Sequence, residues 1–72
     1  MVPLQSFISS NIRAAGYDPF RKELFVEFVT GPVYRYDSVL EAIWNGLLAA
    51  TSHGKFLRET VQLKGYRYER LT

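Results

Sequence analysis

The sequence predicts an α+β domain: a three-stranded antiparallel meander packed against one amphipathic helix, then a short helix and a terminal extended segment. Apolar residues alternate along the first half of the chain, and a helical period begins near residue 38. The chain has 72 residues, 47% of them hydrophobic, and no cysteine. Apolar packing alone must therefore stabilise it, and we expect residues 1–72 to form a single domain.

Three segments predict the strands of the meander. Residues 10–17 form the first strand, and Asp18-Pro19 is a turn signal that ends it. Apolar and polar side chains alternate over residues 22–30, which predicts the second strand. Thr-Gly-Pro at residues 30–32 breaks that strand, and residues 33–36 resume the extended pattern as the third strand.

The second and third strands predict a hairpin whose register follows from its turn. With the turn at residues 30–32, the predicted cross-strand pairs are Val26–Tyr36, Phe28–Tyr34 and Glu27–Arg35. The two tyrosines then lie on the face that the helix covers, where they serve as core residues. Tyrosines spaced two apart on a strand also stack unpaired bases in RNA-binding modules, so a ligand-facing role stays open.

Two helices are predicted after the hairpin. Ser38 and Glu41 match the Ser-x-x-Glu capping box, and residues 39–50 carry one apolar side at helical spacing. Gly46 lies on that side and predicts close approach to a strand. Ser52 is the predicted cap of a second, short helix that ends near Thr60, and residues 61–71 form the final extended segment.

Signatures of catalysis and of metal binding are missing from the sequence. His53 is the only histidine, so no histidine–cysteine cluster can hold a metal ion. Ser52 and His53 are adjacent, a placement that seldom lets a nucleophile and its base face each other. We therefore expect no catalytic site, no metal and no cofactor. Neither long uncharged stretch approaches the roughly 20 apolar residues of a membrane span, which predicts a cytoplasmic protein without a membrane partner.

Positive charge is concentrated in the last quarter of the chain. The net charge is only +2, but residues 55–72 hold five bases and two acids. Basic residues interleaved with aromatic ones are typical of surfaces that bind single-stranded nucleic acid. The candidate nucleic-acid-binding residues are Lys55, Arg58, Lys64, Tyr66, Arg67, Tyr68 and Arg70. The competing interpretation is a closing strand whose tyrosines pack inward.

Two smaller candidate sites lie around the predicted helices. Ser52, Gly54 and Lys55 could hold an anion at the start of the second helix, although an ordinary helix cap explains the same residues. Trp44 and Leu48 lie at the edge of the first helix, where a large aromatic residue beside a leucine can anchor a protein partner. They are equally able to complete the core.

Taken in order, the motifs of the chain resemble the KTSC domain. They are Ser10-Asn11-Ile12, Gly16-Tyr17-Asp18, Leu24-x-Val26-x-Phe28-x-x-Gly31-x-x-Tyr34-x-Tyr36 and Ala50-x-Ser52-x-Gly54-Lys55-Phe56. The resemblance covers about residues 9–70. That family is named for its occurrence at the C-terminus of some lysyl-tRNA synthetases, and it also occurs as free-standing bacterial or phage proteins. The resemblance implies RNA binding by association with the synthetase, and no catalytic residue.

These observations predict a small, monomeric, non-enzymatic binding module. Its most favoured ligand is RNA or another single-stranded nucleic acid, held by the basic and aromatic C-terminal segment. The alternative is a protein-interaction module, a phage or mobile-element product that binds a host protein through Trp44 and the basic segment.

Overall fold

The computed structural model describes residues 2–72, which form one five-stranded antiparallel sheet and two α-helices. The strands are β1 (Gln5–Ser6), β2 (Ile12–Asp18), β3 (Glu23–Phe28), β4 (Val33–Tyr36) and β5 (Tyr68–Arg70), and the helices are α1 (Glu41–Ala49) and α2 (His53–Thr60). A 3-10 turn over Gln62–Lys64 follows α2. Strand order across the sheet equals chain order. The predicted α+β class is confirmed. β1 is an additional strand, whereas β5 lies in the predicted terminal extended segment, whose beginning forms the 3-10 turn instead.

A β-bulge in β2 brings two residues three positions apart onto the core face. Ile12 pairs with Phe28 and Ala14 pairs with Glu27, so the register shifts around Arg13. Because the bulge inserts one residue, Ile12 and Ala15 both face the helices and both are fully buried. Strict alternation would have directed one of them towards solvent.

The β3–β4 hairpin has the predicted faces but a different register. Val26 pairs with Tyr34, and Leu24 pairs with Tyr36, a shift of two residues from the predicted pairs. Phe28 N–H donates to the Pro32 carbonyl, so the loop consists of residues 29–31, one position earlier than predicted. Gly31 adopts a φ of 120° in that loop, a conformation that glycine tolerates without strain. A shift of two residues leaves every side chain on its predicted face.

The predicted Glu27–Arg35 pair is wrong because of that shift. Arg35 lies opposite Phe25, on the sheet face turned away from the helices. Its Nε lies 2.8 Å from the Asp37 carboxylate and its Nη2 lies 3.0 Å from that of Glu69. The hydrogen bond to Asp37 raises the pKa of the Arg35 guanidinium above its ordinary value, with smaller contributions from neighbouring carboxylates. Arg35 therefore links β4 to β5 on this face.

The predicted capping box is also wrong, because α1 begins at Glu41 and its N-cap is Leu40, which makes no side-chain cap. Ser38 has a φ of 60° and lies outside the helix. Val39 N–H donates to the Lys22 carbonyl, and the Tyr17 hydroxyl donates to the Val39 carbonyl. These two bonds attach residue 39 to the sheet, so the helix can begin only after it. The predicted second helix is confirmed: Ser52 Oγ accepts from Lys55 N–H at 3.3 Å.

The helices cover the core face of the sheet and close over a small apolar centre. Leu47 of α1 and Leu57 of α2 are buried, as is Val61 directly after α2. A Cβ on Gly46 would lie 2.6 Å from the Phe56 ring, so Gly46 allows α2 to approach α1. The predicted approach of Gly46 to a strand is therefore wrong. No helix within residues 2–72 is long and apolar enough to cross a membrane.

The segment before β1 covers the opposite face of the sheet at Gly16. Gly16 pairs with Phe25, and a Cβ added to Gly16 would overlap the Pro3 carbonyl oxygen and lie 2.9 Å from the Val2 side chain. A backbone carbonyl has little freedom to move away. The missing side chain of Gly16 therefore allows residues 2–4 to lie directly on β2.

Gly16→Ala is accordingly expected to destabilise the fold by about 1–3 kcal/mol, the cost of forcing extra volume into a packed site. Urea unfolding monitored by circular dichroism measures the change. The matched control is the same substitution in a chain that lacks residues 2–4, where its cost should disappear. An equal cost in both chains would show that the N-terminal segment does not cover Gly16.

Candidate functional site

An aromatic cleft of about 400 Å³ opens between the β3–β4 loop, strand β5 and the 3-10 turn. Its lining combines four tyrosines and one phenylalanine with three smaller residues. They are Tyr34, Tyr36, Tyr66, Tyr68, Phe28, Thr30, Pro32 and Gln62. A cleft of this volume lies at the small end of the range for ligand pockets, about 300–1,000 Å³. It is the candidate functional site.

Tyr36 forms the floor of the cleft and joins it to the core. Its side chain is 3% exposed and belongs to the central apolar cluster. The hydroxyl accepts a hydrogen bond from Gln62 Nε2 at 3.3 Å, which connects β4 to the 3-10 turn. Tyr36 therefore has the predicted core role, and its polar end lies in the cleft.

Tyr34 and Tyr68 supply the open part of the aromatic surface. Tyr68 is 60% exposed, and its ring centroid lies 5.7 Å from that of Tyr34 and 5.9 Å from that of Tyr36. Tyr34 is half-buried and meets Phe28 edge-on at 5.6 Å. Because Tyr36 pairs with Tyr68 across β4 and β5, all three tyrosines lie on one sheet face. We call Tyr34, Tyr36 and Tyr68 the tyrosine shelf.

A second, smaller cleft of about 180 Å³ continues the first along α2. The two clefts share Phe28, Thr30 and Gln62 in their linings, so they adjoin, and we call them together the groove. Arg58 lines the second cleft. Among the described residues that line either cleft, Arg58 is the one Lys or Arg, and none is Asp or Glu.

The predicted basic residues are all exposed, but the structure does not place them on one surface. Arg58 lines the groove, and Arg70 pairs with Tyr34 at the edge of the sheet. Arg70 Nε donates to the Thr72 carbonyl. Lys64 ends the 3-10 turn, and Arg67 lies just before β5, where its carbonyl accepts from Asp37 N–H.

The residues of the predicted anion site line two depressions that share Ser52. Ser52 and Gly54 line one of them with Asn11, and a Cβ on Gly54 would lie 2.9 Å from the Asn11 amide. Ser52 and Lys55 line the other, where Glu59 is also present. Ser52 caps the helix by accepting from Lys55 N–H, as the competing interpretation predicted.

The two residues of the predicted docking site differ in exposure. Trp44 is half-buried and stacks on Tyr17 with ring centroids 6.0 Å apart and planes 13° apart. Leu48 is 39% exposed, and Leu40, the N-cap residue of α1, is also exposed. Trp44 and Leu48 are four residues apart and lie on one side of α1, and Leu40 precedes them at the start of the helix.

Sequence reasoning missed the polar residues of the groove. Gln62 lies in the predicted final extended segment and Thr30 in the predicted hairpin turn. Neither position indicates a ligand. Arg58 was singled out for its charge alone. A helical interpretation of residues 58–62 would have placed Arg58 and Gln62 on the same side, because residues four apart in a helix are neighbours.

The comparisons with known proteins agree with one another. The family model of the KTSC domain matches residues 8–68. A protein of Stutzerimonas stutzeri is 40% identical over 63 residues, 88% of this chain and 89% of its own length. A protein of Tsukamurella paurometabola is 41% identical over 59 residues, 82% of this chain and 88% of its own. The crystal structure of a KTSC domain protein from Yersinia pestis is 28% identical, with a TM-score of 0.90 over 97% of both chains.

Burial of Tyr36 predicts a loss of stability at high pH. Burial raises the pKa of its phenol above the ordinary 10.0, although the hydrogen bond from Gln62 opposes the shift. The unfolded chain therefore ionises this phenol first, and the free energy of unfolding should fall as the pH rises above 10 towards the raised pKa. Urea unfolding between pH 9 and pH 11 measures the fall, which Tyr36→Phe should flatten. An equally steep fall in Tyr36→Phe would contradict this assignment.

Proposed function

This chain belongs to the KTSC domain family, and we propose that it is a monomeric, non-enzymatic, cytoplasmic module that binds RNA or another single-stranded nucleic acid in the aromatic groove. The observation that carries the proposal is the tyrosine shelf, which leaves Tyr68 60% exposed beside Tyr34. An exposed ring beside a partly buried one offers a surface on which an unpaired base can stack. Tyr66, the fourth tyrosine of the cleft, lies outside the shelf and is half-buried.

The geometry of the shelf suits the stacking of bases. Single-stranded bases stack on aromatic side chains, and this contact tolerates any base because every base has a π-face. Tyr68 presents its ring on the open side of the shelf, whereas Tyr34 is held in place by Phe28. A rigid ring beside an accessible ring favours an unpaired base over a double helix, whose bases are already stacked.

The distribution of charge supports an anionic ligand on this side of the protein. The groove carries Arg58 without an acidic residue in its described lining, and Arg70 pairs with Tyr34 of the shelf across β4 and β5. The carboxylates of Glu23, Asp37 and Glu69 gather instead around Arg35 on the other sheet face. A phosphate backbone would therefore be attracted to the groove and repelled from that face.

A second candidate function is the docking of a host protein on α1. The observation that favours it is the row of Leu40, Trp44 and Leu48, in which the two leucines are exposed. Apolar residues at this spacing on one helix can fit the surface of a protein partner. The row lies on α1, which contributes no residue to the aromatic cleft.

Tyr68→Ala is expected to weaken the binding of a single-stranded RNA by about 5- to 150-fold, which corresponds to the roughly 1–3 kcal/mol of one base–aromatic stack. Phe20→Ala is the matched control because Phe20 is 94% exposed but lies in the turn at the opposite end of β3. It should leave the affinity unchanged. Fluorescence anisotropy with a labelled octauridylate at low ionic strength measures both variants.

Two results would contradict the proposal. One is the absence of binding by the unaltered protein at low ionic strength. The other is an equal loss in Tyr68→Ala and Phe20→Ala, which would indicate contact with exposed aromatic rings in general. If RNA does not bind but a host protein is captured and then released by Leu40→Ser with Leu48→Ser, the docking function replaces the proposed one.

A further inference from the structure

The volume of the aromatic cleft limits how much of a strand it can hold. About 400 Å³ is the space of a small-molecule pocket, whereas a long strand needs an extended channel. The shelf contributes two rings that are not fully buried, Tyr34 and Tyr68. One base can contact both rings, because their centroids lie 5.7 Å apart.

The continuation of the groove identifies where the phosphate next to that base would lie. Arg58 and Gln62 both line the second cleft, and Gln62 also lines the aromatic cleft. The two side chains therefore border the same space. A base beside Gln62 has its adjoining phosphate within reach of the Arg58 guanidinium.

Gln62 offers the base an acceptor. Its Nε2 donates to the Tyr36 hydroxyl, which orients the amide and leaves Oε1 available in the groove. Each of the four RNA bases carries at least one N–H donor on its pairing edge. Contact with Gln62 therefore orients a base without selecting one.

The structure assigns to this groove a binding unit of two nucleotides: one base on Tyr34 and Tyr68, and the phosphate that joins it to its neighbour on Arg58. This inference rests on the proposed function and narrows it. Lys55, Lys64, Arg67 and Arg70 then contribute only general attraction, and longer strands gain little further contact.

A series of oligouridylates tests the size of the binding unit. The full chain is titrated with uridine monophosphate, the dinucleotide UpU, the tetramer and the octamer. A longer strand offers more positions at which two adjacent nucleotides can bind, so the association constant of each oligomer is divided by the number of those positions. The corrected affinities of dimer, tetramer and octamer should agree within about threefold. The monophosphate measures binding of a free nucleotide, and it should bind no more tightly than the dimer, because the dimer already supplies the base and the phosphate that the groove contacts.

The role of Arg58 is tested by salt dependence with matched variants. In a single strand, one phosphate contact gives a slope of about −0.7 in a plot of log K against log salt. Arg58→Gln should make the slope measured with the octamer shallower by about 0.7 and weaken UpU binding by about tenfold or more, whereas Arg58→Lys should keep the slope. Lys55→Gln is the control, because Lys55 lies on the same helix outside the groove, and it should have no effect.

Different results would contradict this inference and the proposed function. Corrected affinities that rise steeply from dimer to octamer, or equal losses in Arg58→Gln and Lys55→Gln, would overturn the two-nucleotide unit while RNA binding stands. Tighter binding of the monophosphate than of UpU would overturn it in favour of a free nucleotide. Failure of every oligonucleotide to bind would remove the proposed function and this inference together.

Discussion

The burial of Tyr36 is the constraint on which the rest of the structure depends. Its ring lies in the apolar centre with Leu24 opposite it on β3 and Tyr68 opposite it on β5. Its hydroxyl accepts from Gln62. One side chain thereby fixes the order of three strands and the position of the chain after α2. Pairing of β5 with β4 and the contact of Arg35 with Glu69 hold the same C-terminal segment in addition.

The same contacts explain why the groove is open. Because Tyr36 is a core residue, its strand neighbours Tyr34 and Tyr68 must lie on the same sheet face. The two short helices and the 3-10 turn bury Tyr36 but leave Tyr68 largely exposed. The tyrosine shelf is thus the outer margin of the core, held rigid by the residues beneath it. A rigid ligand surface loses less conformational entropy on binding than a flexible one.

The sequence predicted which sheet face each side chain occupies better than it predicted which residues pair across the strands. Alternation along β3 and β4 assigned Val26, Phe28, Tyr34 and Tyr36 to one face, and that assignment is correct because a register shift of two residues preserves faces. The register depends on which residues form the loop. The hydrogen bond from Phe28 N–H to the Pro32 carbonyl fixes that loop. Likewise, Ser38 and Glu41 matched a local capping pattern, but two bonds from the sheet to Val39 set the start of α1.

The candidate site could be predicted only in part for a related reason. Tyr68 and Arg58 stand out in the sequence as an aromatic and a basic residue, yet nothing local shows that they share a groove. Their relation depends on the return of the chain to pair β5 with β4, a contact between residues about thirty positions apart. Charge alone grouped Lys55 with Arg58, although the two line different clefts.

The most direct test of this account is a map of backbone amide shifts on titration with UpU, by two-dimensional nuclear magnetic resonance of the isotope-labelled chain. We expect the largest shifts at the backbone amides around Tyr34, Arg58, Gln62 and Tyr68. Amides near Arg35 and Trp44 should remain unchanged. Shifts concentrated on α1 or around Arg35, or spread evenly over all exposed basic residues, would contradict it.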